Sequence, residues 1–246
     1  MDYDTDPRPF HLKGSTTGVL LLHGFTSTPQ SVAYVGHAIH AATGASVSVP
    51  LLAGHGDTPQ ALAQTGYRDW LASAEAALDA LRTTCDHVVV AGLSLGGTIA
   101  LNLAIRLPDR VDRVITINGS TGIYRPDQVA KLFADQPTAF HPGIGSDIQH
   151  PHRKEVCYDQ IPTATLRERF ILTCATGLML PDLKQPILVF QSRQDHVVAP
   201  ENGLRIVRDV GSSDVTLHWL ERSYHVATLD HDRDIIVARA AAFITG

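Results

Sequence analysis

Apolar residues in this chain fall into two alternating kinds of segment. Gly18–Leu22, Ser46–Val49, Val88–Ala91, Val114–Ile117, Ile187–Phe190 and Val215–Leu220 are short, largely β-branched or aliphatic runs, as expected of strands in a mostly parallel sheet. Between them, apolar positions recur every three or four residues. Val32, Val35 and Ile39 share one helical face, with Pro29 suited to the first turn and Gly44 to the stop. Trp70, Leu71, Ala74, Leu78 and Leu81 form a stripe along a helix over Tyr67–Arg82, and Leu95–Leu107 reads as a helix stopped at Pro108. Two more helices are predicted, near Glu201–Val210 and from about Asp230 to Ile244. The alternation predicts an α/β chain with a mostly parallel, doubly wound sheet, whose ligands gather at the carboxyl ends of its strands.

The alternation breaks once. From about Gly119 to Gln185 the chain is proline-rich, carries the polar tract His141–Lys154 and has one helical stretch near Thr165–Leu180. That is too long for a plain connection. We read residues 119–185 as a cap inserted into one domain spanning residues 1–246.

A chain of 246 residues with 44% hydrophobic content buries a sizeable core. The net charge of -5, with no polybasic run, gives no electrostatic reason to expect nucleic acid or an anionic membrane as partner. Cys85, Cys157 and Cys174 are widely spaced and form no Cys-x-x-Cys pair, so neither a disulfide framework nor a zinc knuckle is indicated. The acidic start Met1–Asp6 lacks the basic and apolar regions of a secretory signal. No stretch approaches the ~18 apolar residues of a membrane span, and a cytoplasmic protein is the expectation.

Gly92-Leu93-Ser94-Leu95-Gly96 directly follows the run Val88–Ala91. A strand, a sharp turn and a helix then follow one another, with a serine at the tip and glycines where a Cβ would obstruct it, the arrangement of a nucleophile elbow. A serine hydroxyl is a weak nucleophile at neutral pH. It needs an imidazole as base, and the imidazole needs a carboxylate to fix its tautomer and stabilise its cation.

Both partners are expected after the serine, on loops that follow late strands. Asp195 lies just past Ile187–Phe190, at the correct sheet edge, whereas Asp214 precedes its strand and Glu221 crowds the next loop. Thirteen histidines compete for the base. His225 follows Val215–Leu220 on the same edge; His218 is mid-strand and His231 opens the last helix. An oxyanion needs donors already in place, commonly the N–H after the nucleophile and one from the loop after the first central strand. Those map to Leu95 and Phe25, with His23-Gly24 as a flexible turn that aims the Phe25 amide.

Five segments then carry a resemblance: Leu21–Thr26, Pro50–Gly56, the elbow, Asp195–Val198 and Ser223–Asp230. With them the chain resembles, nearly end to end, the bacterial carboxylesterase and monoacylglycerol lipase family of small capped α/β-hydrolases. The resemblance implies that fold, with hydrolysis of carboxylic esters by Ser94, Asp195 and His225, an oxyanion hole at Phe25 and Leu95, and no cofactor. Gly143–Ile148 and Lys154–Tyr158 are similar to cap segments of the monoacylglycerol lipases. This likeness implies that Glu155 meets a glycerol head group and Ile144 lines the same end. The histidine-rich tract with His141, His150 and His152 departs from the family pattern; its spacing matches no standard metal-ligand motif, and no metal is expected.

The expectation is a serine hydrolase acting on small-molecule esters of short to medium acyl chains, monoacylglycerols among them, with activity lost below the imidazole pKa of ~6.5. Phe133, Phe140, Ile148, Phe170, Ile171 and Leu172 are candidates for an apolar acyl pocket. An amidase, thioesterase or perhydrolase could use the same three residues. A non-catalytic small-molecule receptor could use the same fold. A haloalkane dehalogenase is disfavoured, because its elbow nucleophile is an aspartate.

Overall fold

A computed structural model describes residues 5–127, 129–130 and 139–246. Its centre is a seven-stranded sheet built from β1 (Phe10–Leu12), β2 (Ser15–Leu22), β3 (Ala45–Val49), β4 (His87–Leu93), β5 (Arg113–Ile117), β8 (Ile187–Ser192) and β9 (Val215–Leu220). The spatial order is β1-β3-β2-β4-β5-β8-β9, all parallel except the antiparallel β1 edge. The order reverses between β2 and β4. Such a reversal opens a crevice at the carboxyl ends of the two strands, where ligands bind in open α/β sheets.

The continuous apolar runs have a direct cause, since the sheet is covered on both faces. Leu20, Leu22, Val88, Val90, Val114, Ile187 and Val189 belong to one buried cluster. Their alternates Val19, Leu21, Val89, Ala91, Ile115, Leu188 and Phe190 belong to the other. Each fully buried aliphatic side chain of this kind contributes on the order of 1.5–3 kcal/mol. The first cluster takes in Trp70, Ala74, Leu78 and Leu81 of α3 (Tyr67–Arg82) and Ile99 to Leu103 of α4 (Leu95–Arg106). The second takes in α1 (Gln30–Thr43) and α7 (Arg233–Thr245), which pack against each other. Gly44 ends α1 in the left-handed conformation at φ 69°, which glycine adopts without a Cβ penalty.

Between β5 and β8 the chain leaves the sheet. The described part of this segment holds a small antiparallel pair, β6 (Phe140–Pro142) with β7 (Gln160–Pro162), and the long helix α5 (Thr163–Met179). A short helix α2 (Pro59–Leu62) stands in the loop after β3, and α6 (Glu201–Asp209) precedes β9.

Four features differ from the sequence expectation: β1, the β6–β7 pair and α2 were not foreseen, and α7 begins at Arg233 rather than near Asp230. The last has a clear cause. Residues 227–229 form a short 3-10 turn, and the buried Asp230 carboxylate accepts main-chain hydrogen bonds from Gln149, His150, Tyr224 and His231. That geometry holds Asp230 outside the helix.

Candidate active site

Ser94 sits between β4 and α4 at φ 54°, ψ −115°, a conformation that costs a non-glycine residue on the order of 1–3 kcal/mol. The surroundings impose it: the Ser94 N–H donates to the Ile117 carbonyl at 2.9 Å, and its own carbonyl accepts from Thr98 at 3.1 Å. The flanking glycines are needed for close approach. A Cβ on Gly92 would stand 2.1 Å from the carbonyl carbon of Gly96, and one on Gly96 would stand 2.3 Å from the Leu22 oxygen.

Asp195 and His225 emerge from the loops after β8 and β9. The imidazole Nδ1 lies 2.8 Å from Asp195 Oδ2, with the carboxylate side chain fully buried and the ring 8% exposed. Asp195 Oδ1 accepts from the main-chain N–H of Val197 at 2.9 Å and Val198 at 2.7 Å. An ionised carboxylate can only accept, so Nδ1 carries the proton and Nε2 is left with a lone pair. Ser94 and His225 line the same cavity, with Phe25, Ile144, Glu155 and Arg169 around them. Among the described residues no hydrogen bond joins the Ser94 hydroxyl to the ring; a bond of this kind tightens once substrate is bound.

The competing residues lie elsewhere. His218 packs half-buried on Phe190, His231 is exposed beside His150, and Glu221 is exposed and paired with Arg193.

Phe25 and Leu95 flank Ser94, and their main-chain N–H groups have no acceptor among the described residues. The Phe25 loop is clamped rather than flexible. Gly24 has no positive φ, and a Cβ there would meet Ser94 only at an ordinary 3.6 Å. His23 supplies the clamp: its Nδ1 donates to the Gly24 carbonyl at 2.9 Å, and its Nε2 accepts from the Leu52 N–H at 3.1 Å. Complete burial holds His23 neutral, with its pKa pushed down to about 3. Thr26, at φ 63°, takes the strained turn conformation instead. The Phe25 ring packs edge-on against Trp70 and His55.

Three positioning residues escaped the sequence reading. Asn118, which follows β5 at φ 50°, donates from Nδ2 to the His225 carbonyl at 2.7 Å and to Ser192 Oγ at 2.9 Å, and accepts from the Ser192 N–H at 2.7 Å. Asp147 accepts from the main-chain N–H groups of both His196 and His225, and from His196 Nδ1 at 2.8 Å. The two tie the acid and histidine loops together. Asn118→Ala leaves buried main-chain groups without partners and is expected to lower stability by on the order of 1–3 kcal/mol, read by urea unfolding. The third, Arg169 on α5, is buried in the cavity wall.

Of the acyl-pocket candidates, Phe170 lines a chamber next to the site. Ile171 instead is half-exposed in a surface groove with Tyr67 and Leu71, and Leu172 is core. Ile148 packs on the opposite sheet face, and Phe140 is in β6. Helical geometry explains the split, because consecutive residues on α5 diverge by about 100°. Phe133 lies outside the described residues. Cys85, Cys157 and Cys174 are unpaired thiols. No helix among the described residues is long and apolar enough to cross a membrane.

A mostly parallel sheet with a strained serine at the turn after its central strand, and late loops bringing an aspartate and a histidine to the same edge, defines an α/β-hydrolase. The comparisons agree. A family profile described as serine aminopeptidase, S33 matches residues 15–232. The thermostable monoacylglycerol lipase of Bacillus sp. (strain H-257) is 37% identical over 96% of this chain and 93% of its own length. The carboxylesterase of Bacillus subtilis (strain 168) is 27% identical over 94% and 93%. A solved structure from work on LipS and LipT, two metagenome-derived lipolytic enzymes, superimposes with a TM-score of 0.94 at 39% identity, covering 98% of both chains. This chain belongs to the serine aminopeptidase S33 family of α/β-hydrolases.

Proposed function

We propose that this protein hydrolyses carboxylic esters of short to medium acyl chains, monoacylglycerols among them, through an acyl-enzyme on Ser94. The observation that carries the reading is the buried Asp195–His225 pair opening onto the cavity that holds a serine at positive φ. In this reading Ser94 Oγ attacks the ester carbonyl while His225 Nε2 takes its proton, and Asp195 stabilises the imidazolium through Nδ1–H. The oxyanion turns toward the N–H groups of Phe25 and Leu95. Collapse expels the alcohol, which receives the proton from His225. Water then repeats the sequence on the acyl-enzyme and releases the carboxylic acid.

Residues 119–185 serve as a cap, a role supported by Ile144, Glu155 and Arg169 reaching the cavity from that segment. Ile144 and Glu155 form the leaving-alcohol end, with the half-buried Glu155 carboxylate accepting from glycerol hydroxyls. The names of the Bacillus relatives support this choice of substrate. The three unpaired thiols suit a reducing compartment, the cytoplasm.

The family description names an aminopeptidase, so the leaving group is the point to test. Ester, thioester and anilide of one butyryl group, compared by kcat/KM together with monobutyrin, are expected to rank the oxygen esters first by at least ten-fold. A preference for the anilide or thioester would overturn the reading.

His225 also sets the pH dependence. Burial lowers its pKa, but the charge and hydrogen bond of Asp195 and the charge of Glu155 outweigh this, and Arg169 opposes them; the net shift is upward. Only the neutral ring can accept the serine proton. A raised pKa keeps the ring protonated to higher pH, so the acid limb of kcat/KM is expected above the ordinary ~6.5. Glu155→Gln removes one raising charge and should move that limb to lower pH, as read from the pH–rate profile.

A further inference from the structure

Among the described residues, the Arg169 side chain is a cation with no hydrogen-bonding or ion-pair partner, and it is 7% exposed. Its guanidinium lies 6.0 Å from the centre of the Phe25 ring and 5.4 Å from that of Phe170. These ring faces orient a cation but cannot neutralise it. The Asp195 charge attracts it, yet both carboxylate oxygens already accept from His225, Val197 and Val198. Burial lowers the Arg169 pKa to about 10, so the group remains charged at neutral pH. A buried, unpaired charge is costly, and arginine's planar fork matches a carboxylate.

Its position gives the charge a use. Arg169 lines the cavity of Ser94 and His225, and it also lines an adjoining chamber of about 180 Å³ with Ser120, Tyr124, Arg125, Phe170 and His196. Among the described residues no acidic side chain lines that chamber. Glu155 lines the first cavity and not the second, so Arg169 rather than Glu155 is shared by the two.

We infer that the chamber adjoining the Ser94 cavity receives the acyl part of the substrate and that Arg169, where the two meet, binds an anionic group on it, making monoesters of dicarboxylic acids substrates of this enzyme. The distal carboxylate is a spectator: the ester C–O bond is cleaved by water as for a neutral ester, and the second carboxylate leaves unchanged. The inference rests on the proposed ester hydrolysis, and its test separates the two.

The test compares monomethyl esters of glutaric to suberic acid with methyl esters of the matching monocarboxylic acids. At least one chain length of the charged series is expected to match or exceed its neutral counterpart in kcat/KM. Arg169→Gln should lower the ratio of charged to neutral kcat/KM by about ten- to a hundred-fold, and Arg169→Lys should restore part of it. A fall of less than five-fold in that ratio, including equal losses on both series, would overturn the inference and leave Arg169 as a support for Phe25. Calorimetry on the Ser94→Ala protein gives a readout that needs neither hydrolysis nor an Arg169 variant: suberate should bind at millimolar concentration and octanoate at least five-fold more weakly. No difference between the two acids would also overturn it. Failure of the neutral esters to react at all would instead remove the proposed function, while suberate binding still reports on Arg169.

Discussion

Ser94→Ala is expected to lower kcat for a short-chain ester by on the order of 10⁴–10⁶, with the protein still folded. The structure makes this a clean substitution. Alanine keeps the Cβ, so the contacts around the elbow and the strain at φ 54° persist, and only the hydroxyl is lost. Stability in urea should change by less than about 1 kcal/mol, as for a substitution that opens no sizeable cavity. Ser94→Gly separates strain from chemistry, because glycine adopts positive φ freely. That variant should be equally inactive and should not lose stability, although its unfolded chain is more flexible. Substantial turnover by either variant, at the wild-type pH optimum, would move the nucleophile elsewhere.

The second large effect concerns Asp195. In Asp195→Asn one amide position faces the N–H groups of Val197 and Val198, and the other faces His225 Nδ1. Two donors demand an acceptor, so the amide oxygen takes the Oδ1 place and the NH₂ turns toward the ring. Nδ1 must then accept, the ring proton moves to Nε2, and Nε2 can no longer receive a proton from Ser94. A loss in kcat of on the order of 10⁴ follows, the size reported by the wrong-tautomer variant of an unrelated serine protease. The fold should survive, since the main-chain bonds to the loop are kept. Kinetics with circular dichroism on the same preparation checks both halves, and wild-type turnover in Asp195→Asn would show that the carboxylate does not set the tautomer.

The parts of the fold legible in the sequence are those with strong periodicity. Val88 to Ala91 and Ile187 to Phe190 announce buried strands because both faces of the sheet are covered, and α3 announces itself by its stripe. The missed elements are short and lack such a signal. Phe10-His11-Leu12 spans three residues at an edge, and β6 and β7 each end in proline, which cannot donate to a ladder.

Ser94, Asp195 and His225 are legible as candidates because an elbow has a local glycine signature and its partners are sought at predictable strand ends. Asn118 and Asp147 could not, because their work is done across 107 and 78 residues of chain, in the hydrogen bonds to the carbonyl and N–H of His225. Arg169 did leave a trace. Leu166, Thr173 and Thr176, three, four and seven residues away, are buried, so a helical reading of α5 places its one buried arginine on the inward face.

The account stands on Ser94 being a hydroxyl activated by His225, and covalent labelling by a fluorophosphonate tests this most directly. The wild-type protein should gain one phosphonate, located on Ser94 by peptide mass spectrometry. His225→Ala should label far more slowly, and Ser94→Ala not at all. A folded wild-type protein that stays unlabelled, or that carries the phosphonate on another residue, would contradict the account.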